Sequence, residues 1–234
     1  MRISKKLKFI RLVIVFIVSL NCFSQSGKAT YKVYHYFNNS QPKLIENLIF
    51  ELNFNSTESL FKKRQKMNND IESINNKIIE RRVSNGIYYY SVTDNEKIRQ
   101  LDILNTKVLV TDSLLNKYWI LKNSVKTINK IECNNAIIKL KDNSNKEVLV
   151  NAWYSPNISL PYGPKNYEGL PGLIVKLREN KVEFVLDSLI LYEDKANVIN
   201  KPNGKLMTYE EIINFIAKSK GLERNKLLKT LQKN

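Results

Sequence analysis

Few residues in this sequence belong to the types that catalyse reactions. His35 is the single histidine, and Cys133 is the only cysteine besides Cys22. Ser-His-Asp or Cys-His catalysis would therefore have to use His35, and no flanking motif such as G-x-S-x-G supports either arrangement. His35 lies among tyrosines, which favours a structural histidine, and the apolar run just after Cys133 is typical of a buried cysteine.

Metal and phosphate sites are equally poorly supported. No cluster of His, Cys, Asp and Glu has the spacing of a metal site, so we expect no metal and no cofactor. Gly163, Gly169 and Gly172 lack the G-x-G-x-x-G arrangement of a dinucleotide site. The carboxylate pair Glu210-Glu211 is explained by helix capping. These patterns predict no catalytic residues, and a hydrolase is retained only as a third hypothesis behind two non-enzymatic ones.

The strongest pattern is a stretch rich in proline and glycine, from Trp153 to Leu177. It contains four of the six prolines and three of the seven glycines of the chain. Proline fixes φ and glycine supplies positive φ, so the stretch is suited to tight turns. Because aromatic and aliphatic residues are interleaved with them, it should be ordered rather than disordered. We predict a stiff apolar loop between two strands.

The side chains of this loop are our candidate binding residues. Two interpretations stay open: the loop lines an apolar pocket for a ligand, or it simply fills the core of the sheet. The candidates are Trp153, Tyr154, Leu160, Pro161, Tyr162, Gly163, Pro164, Tyr167, Gly169, Leu170, Pro171, Gly172, Leu173 and Ile174.

Short segments with β-prone or alternating residues predict strands along most of the chain. Sequential strands with tight turns favour an antiparallel meander over a parallel α/β sheet. The fold class is therefore mainly β: a curved antiparallel sheet or half-open barrel, similar in architecture to lipoprotein carriers, with a C-terminal helix. The predicted strands are 30–38, 48–54, 87–92, 97–104, 106–111, 117–121, one or two within 127–141, 146–154, 173–178 and 181–193.

Three segments give less regular patterns. Glu58–Ser84 is equally compatible with a short helix and a solvated loop. Cys133-Asn-Asn135 is expected to break the strand that contains it. Thr208-Tyr-Glu-Glu211 matches a capping box and predicts a helix start, with a helical tail over about 208–233.

The first 24 residues are typical of a signal peptide. A basic n-region precedes the aliphatic run Leu12–Leu20, and a small residue, Ser24, offers a cleavage site. The run is short for a membrane anchor, which needs about 20 apolar residues. Lipidation at Cys22 is an alternative, although Asn21 does not suit it. We expect an exported protein, in the periplasm, at the outer membrane or secreted, with residues 25–234 forming one domain and no later transmembrane span.

The charge is strongly positive but scattered. Removing the five basic residues of the n-region lowers the formal net charge from +16 to +11. The lysines are not clustered, and an exported protein rarely meets nucleic acid, so we expect no nucleic-acid partner.

The string Gly-Leu-Pro-Gly-Leu-Ile at residues 169–174 resembles the signature of the GLPGLI family of exported bacterial proteins. Trp153-Tyr154, Tyr162-Gly163-Pro164 and Tyr167 are similar to the family's upstream segment, and Trp119-Ile120 and residues 131–136 to earlier landmarks. Basic residues usual in the family are replaced by Asn134 and Asn135. The resemblance implies an envelope protein of Gram-negative bacteria with a mainly antiparallel β fold. It implies no activity, since the family has none established.

Two non-enzymatic functions follow from these patterns. The first is a binding module that holds a lipid or another hydrophobic small molecule in an apolar pocket. The second is a protein-protein interaction or structural component of the envelope that docks through the aromatic loop. Docking requires the rings of Trp153, Tyr162 and Tyr167 to be exposed and contiguous.

Overall fold

A computed structural model describes residues 26–37, 41–64, 83, 86–111, 118–141, 147–192 and 197–224. Within these ranges the chain is mainly β, as predicted. It forms one sheet, and a helix, α1, follows near the C-terminal end. The strands are β1 (Ser26–His35), β2 (Lys43–Phe54), β3 (Glu58–Lys63), β4 (Ile87–Ser91), β5 (Glu96–Ile103), β6 (Thr106–Thr111), β7 (Ile120–Ile128), β8 (Ile131–Lys141), β9 (Glu147–Ser155), β10 (Leu173–Glu179), β11 (Val182–Tyr192) and β12 (Lys205–Leu206); α1 is Tyr209–Ser219.

The sheet consists of two meanders joined through β1. The strand order is β12-β6-β5-β4-β3-β2-β1-β11-β10-β9-β8-β7, and every pair is antiparallel except β12 with β6. In the described part of the chain, the edge strands β12 and β7 do not pair with each other, so the sheet stays open.

Contacts across the sheet require strong curvature. The rings of Phe61 in β3 and Phe184 in β11 lie 5.6 Å apart, although three strand spacings, about 14 Å in a flat sheet, separate their strands. Register shifts at 30/31 and 32/34 in β1 and at 174/176 in β10 mark bulges, which increase local twist and bending. We call the face carrying Phe61 and Phe184 the inner face, and the opposite one the outer face.

Tight turns connect several strands as the asparagine positions suggest. Leu104-Asn105 joins β5 to β6 and Asn129-Lys130 joins β7 to β8, and all four residues have positive φ. Two consecutive positive φ values are the conformation of a type I′ turn, whose twist matches that of antiparallel strands.

Two expectations for individual strands are wrong. β3 was not predicted, because only Leu60 and Phe61 are apolar in it and they face opposite sides of the sheet. The predicted break at residues 133–135 does not occur, and β8 runs through them. The Asn135 amide is buried and donates hydrogen bonds to Asn151 Oδ1 (3.1 Å) and the Ala152 carbonyl (3.0 Å), so its polar group is satisfied inside the sheet.

The capping box at the start of α1 is confirmed. The Thr208 hydroxyl accepts a hydrogen bond from the Glu211 backbone amide, and the Glu211 carboxylate accepts one from the Thr208 amide (2.7 Å). The apolar side of α1 packs on Val108 at the inner face of β6. Residues 65–82, most of the segment between β3 and β4, and 225–234, the rest of the predicted helical tail, lie outside the described residues, as does the predicted signal peptide. No helix in the described ranges is long and apolar enough to cross a membrane.

Candidate functional site

The proline- and glycine-rich segment lies on the inner face, as a plug. We use "plug" for residues 156–172, between β9 and β10. Asn166 Nδ2 is 3.3 Å from the Tyr89 carbonyl in β4, while Lys165 Nζ bonds Glu179 Oε2 in β10 at 2.8 Å. Five strand spacings, about 24 Å in a flat sheet, separate β4 from β10, so two neighbouring plug residues bridge the curved sheet.

Further contacts hold both sides of the plug. Trp119, just before β7, donates its indole N–H to the Glu168 carbonyl at 2.9 Å, and its ring lies 6.1 Å from that of Tyr167. The Glu168 carboxylate forms an ion pair with Lys97 of β5. Tyr167 donates to Glu179 at 3.0 Å. The plug is therefore tied to strands near both edges of the sheet.

Most of the predicted binding residues are part of the core. Trp153 is half-buried. Three of the candidates are exposed: Pro161, Gly169 and Pro171. The buried ones are Tyr154, Leu160, Tyr162, Gly163, Pro164, Tyr167, Leu170, Gly172, Leu173 and Ile174.

The expectation of an exposed aromatic patch is wrong. Tyr162 is 1% exposed and Tyr167 is 3% exposed. Trp153 follows Ala152 in β9 and thus points to the outer face, where the Lys126 ammonium lies 5.9 Å from the centre of its ring. These rings are neither contiguous nor available for docking.

Neither Cys133, the candidate nucleophile, nor His35, the candidate base, is placed in a reactive setting. The Cys133 side chain is fully buried in β8, and burial, followed by the charge of Glu132, raises the pKa of its thiol to about 11. The thiol is protonated at neutral pH and is a poor nucleophile. His35 packs against Phe37 at 4.5 Å. Among the described residues, no group of three or more His, Cys, Asp or Glu could hold a metal ion.

A cavity on the outer face is the feature that the sequence did not indicate. Its volume is about 480 Å³, and it lies between the first meander and an overlying segment, residues 197–203, which we call the strap. The side chains of β2 to β6 in its wall are Asn53, Leu60, Lys62, Ile87, Gln100 and Lys107.

Cross-strand register places these wall residues on one face. Asn53 pairs with Leu60, Leu60 with Tyr89, and Tyr89 with Ile98, and paired residues share a face. Phe61, next to Leu60, belongs to the inner core, so the Asn53–Leu60 row is on the outer face.

The strap is anchored at both ends and in the middle. Asn197 Nδ2 donates to the Gly27 carbonyl (3.0 Å) and the Phe54 carbonyl (3.1 Å), and Gln100 Nε2 donates to the Asn203 carbonyl at 2.5 Å. Between them, Ile199 is 7% exposed and packs with Tyr89, Ile98 and Leu109. These contacts hold the strap against the outer face, and the cavity is lined by the strap together with the neighbouring strands.

Sequence reasoning missed the strap because residues 197–203 have neither helical nor strand periodicity. The one available signal is composition, since three of its seven residues are asparagines and Lys201 and Pro202 add a charge and a turn. Such a composition usually indicates a solvated linker.

Comparison with known proteins gives a partial match to a family model and a similar fold. Residues 121–176, from β7 to β10 and including the plug, match the model of a family described as a protein of unknown function (Porph_ging). No curated protein matches the chain.

Two solved structures of PNGF-II, in the P21 and C2 space groups, have a similar fold, with 17% and 18% sequence identity and TM-scores of 0.53 and 0.54. The likeness covers 84% of this chain but only 34% and 33% of those chains, so this chain spans about a third of the length of PNGF-II.

The plug yields a prediction about Gly172, whose φ is +150°. A Cβ there would lie 2.0 Å from the Ser155 carbonyl oxygen of β9, whereas a Cβ at Gly169, with φ +86°, meets nothing within 4 Å. Gly169→Ala should cost about 1–2 kcal/mol of unfolding free energy from backbone strain alone. Gly172→Ala should cost about 3 kcal/mol or more, because strain and collision add. Urea unfolding of both variants measures this, and equal losses would contradict the close approach of plug and β9.

A second prediction concerns alkaline pH. Burial, with smaller contributions from Tyr90 and Glu58, raises the pKa of Tyr162 from 10.0 to about 12. A raised phenol pKa means that the unfolded chain deprotonates first, so the stability contributed by neutral Tyr162 is complete below pH 10 and is lost as the pH rises to 12. Tyr162→Phe removes this group, and the hydrogen bond to the Asn55 carbonyl (3.0 Å) with it.

The unfolding free energy of the parent should therefore fall more steeply between pH 10 and 12 than that of Tyr162→Phe. Tyr31, also buried and with a raised pKa, is common to both proteins and cancels in the comparison. Urea unfolding at pH 8, 10 and 11 measures the slopes, and parallel slopes would show that Tyr162 ionises equally in both states.

Proposed function

We propose that this protein is a non-catalytic binding module of the bacterial cell envelope, and that its ligand occupies the cavity between the strap and the outer face. The observation that carries the proposal is the 480 Å³ cavity itself, within the range of about 300–1,000 Å³ common for small-molecule sites. The cavity is open to solvent, and the strap side of its lining is held in place by hydrogen bonds of Asn197 and Gln100. A pre-formed cavity binds without the cost of ordering a loop.

The envelope location and the finer family membership are part of this proposal. They rest on the signal-peptide pattern of residues 1–24 and on the GLPGLI string at 169–174, which falls inside the matched range 121–176. We infer that the GLPGLI family and the matched family are the same.

In this proposal the Gly-Leu-Pro-Gly-Leu-Ile string of the plug does not touch the ligand. Gly172, Leu173 and Ile174 are fully buried against β9 and the core. Packing and backbone geometry account for the residue types at these positions, while the proposed ligand contacts lie on the outer face.

A second candidate function is the carrier of a lipid or another hydrophobic ligand on the inner face. One observation favours it. Leu121 in β7 pairs with Ala136, and Ala136 with Ala152, in a row that continues to Leu177 on the inner face. Leu121 is nevertheless 58% exposed and Val125 is 64% exposed, so the β7 edge presents apolar surface beside the plug.

Native mass spectrometry of the protein purified from the envelope distinguishes the two candidates. The expected result is a bound polar molecule of a few hundred daltons, a size that matches the volume of the cavity. Val198 lines the cavity but is 77% exposed, so Val198→Trp should fill the mouth and abolish this bound mass without unfolding the protein. Val92→Trp, at an exposed valine outside the cavity, is the matched control and should keep it.

A bound phospholipid or fatty acid, retained in Val198→Trp, would favour the inner-face carrier and reject the cavity. If purified protein carries no molecule, thermal denaturation is measured with a library of polar metabolites. Absence of stabilisation by every compound, or equal stabilisation of parent and Val198→Trp, would contradict the proposal.

A further inference from the structure

The charges around the strap cavity select the chemical class of its ligand. We propose that the cavity binds a small hydroxylated anion, that is, a polyhydroxyl body bearing one carboxylate or phosphate group. This inference rests on the proposed function and names the ligand of the same site.

The lining is cationic. Among the described residues, Lys62, Lys107 and Lys201 contribute to it, and no Asp or Glu does. Lys201 forms an ion pair with Glu96 at 2.5 Å and is thereby neutralised. Lys62 and Lys107 have no ion-pair partner in the described part of the chain. Two ammonium groups that form no ion pair and face one cavity raise the local concentration of anions.

In the described part of the chain, the carboxylates opposite these two lysines form no ion pair with them. Glu51 is directly opposite Lys62 in the β2–β3 register, but its carboxylate is bonded to Arg64 at 2.7 Å and Lys28 at 3.5 Å. Those two cations hold the pKa of Glu51 below its usual value despite partial burial. Asp102 is opposite Lys107 in the β5–β6 register, without an ion pair between them. Asp102 does not line the cavity.

The rest of the lining suits hydroxyl groups. Amide side chains suit hydroxyl groups because each has donor and acceptor groups. Here the Nδ2 group of Asn197 is used to anchor the strap and leaves its oxygen as an acceptor, and Gln100 uses one N–H in the same way. The amides in the lining are Asn53, Gln100, Asn197, Asn200 and Asn203. Of the residues that the structure describes, no aromatic one lines the cavity, so the described lining has no platform for a stacked nucleobase. The apolar part consists of small aliphatic surfaces, Leu60, Ile87, Val198 and Pro202 among them.

Cavity volume and amide content therefore favour a monosaccharide-sized body, and the two lysines favour an anionic group on it. A neutral sugar would leave both ammonium groups without a counter-charge. A bare phosphate would fill only part of the cavity and leave the amides to water.

Isothermal titration calorimetry of the purified protein tests this with four probes: glucose 6-phosphate, glucuronate, glucose and inorganic phosphate. We expect saturable 1:1 binding of at least one of the two anionic sugars. Glucose and inorganic phosphate should each bind about tenfold more weakly, because glucose lacks the anionic group and phosphate lacks the polyhydroxyl body. Binding should also weaken as the salt concentration rises.

Lys62→Gln and Lys107→Gln should each weaken the anionic sugar about tenfold and leave the weak binding of glucose unchanged. Lys122→Gln, at an exposed lysine of β7 far along the strand order from the cavity, is the matched control and should bind like the parent. The melting temperature of each variant, measured alongside, separates lost binding from lost folding.

Equal affinities for glucose and glucose 6-phosphate would overturn the anion assignment while leaving the cavity as a site for neutral ligands. Equal affinities for phosphate and glucose 6-phosphate would mean an adventitious ion only. Anion binding that survives both lysine substitutions places it elsewhere and also overturns the inference. If none of the four probes binds while Val198→Trp still removes a co-purified molecule, the class is wrong and the proposed function stands.

Discussion

The structure depends on covering the inner face of an open, curved sheet. A sheet that is not closed exposes a continuous apolar surface, and here β1, β2, β3, β10 and β11 direct aromatic and aliphatic side chains to the same side. The plug covers this surface with its own side chains, among them Tyr162 and Leu170. Burial of one large apolar side chain contributes about 1.5–3 kcal/mol, so several of them amount to a large part of the stability of a domain.

Burying the plug also requires partners for its polar groups. The Tyr162 hydroxyl donates to the Asn55 carbonyl (3.0 Å), and the Tyr31 hydroxyl, fully buried in β1, donates to the Ile174 carbonyl at 2.8 Å. Lys165 and Tyr167 share the Glu179 carboxylate. Leaving a buried polar group unpaired costs more free energy than one hydrogen bond contributes to stability. Any other position of the plug would leave these groups unpaired, so the contacts fix the plug in one position as well as stabilising it.

The sequence predicts these features unevenly, and the reason is how local each signal is. Alternation in Leu48, Phe50, Leu52 and Phe54 depends only on the strand itself, and it identified β2. The capping box at Thr208 is equally local. Asn135, in contrast, resembled a turn residue because its partners, Asn151 and Ala152, are 16 and 17 residues away. The strap could not be predicted for the same reason, since Asn197 bonds to Gly27 and Phe54 across 170 and 143 residues.

For the candidate site, the sequence predicted binding residues in the apolar plug and gave no prediction for the polar strap. Hydrophobic loop residues suggest a ligand site because they could bind an apolar ligand. Their low affinity for water equally makes them pack on any apolar surface that the fold leaves open. Once the plug occupies the inner face, recognition of a polar ligand needs a surface whose polar groups are not consumed by folding. In the proposed function the outer face provides this surface: Asn197 anchors the strap, while Lys62 and Lys107 form no ion pair among the described residues and face the cavity. This proposal assigns stability and binding to opposite faces of one sheet, so substitutions in the plug should alter stability and substitutions of the two lysines should alter binding.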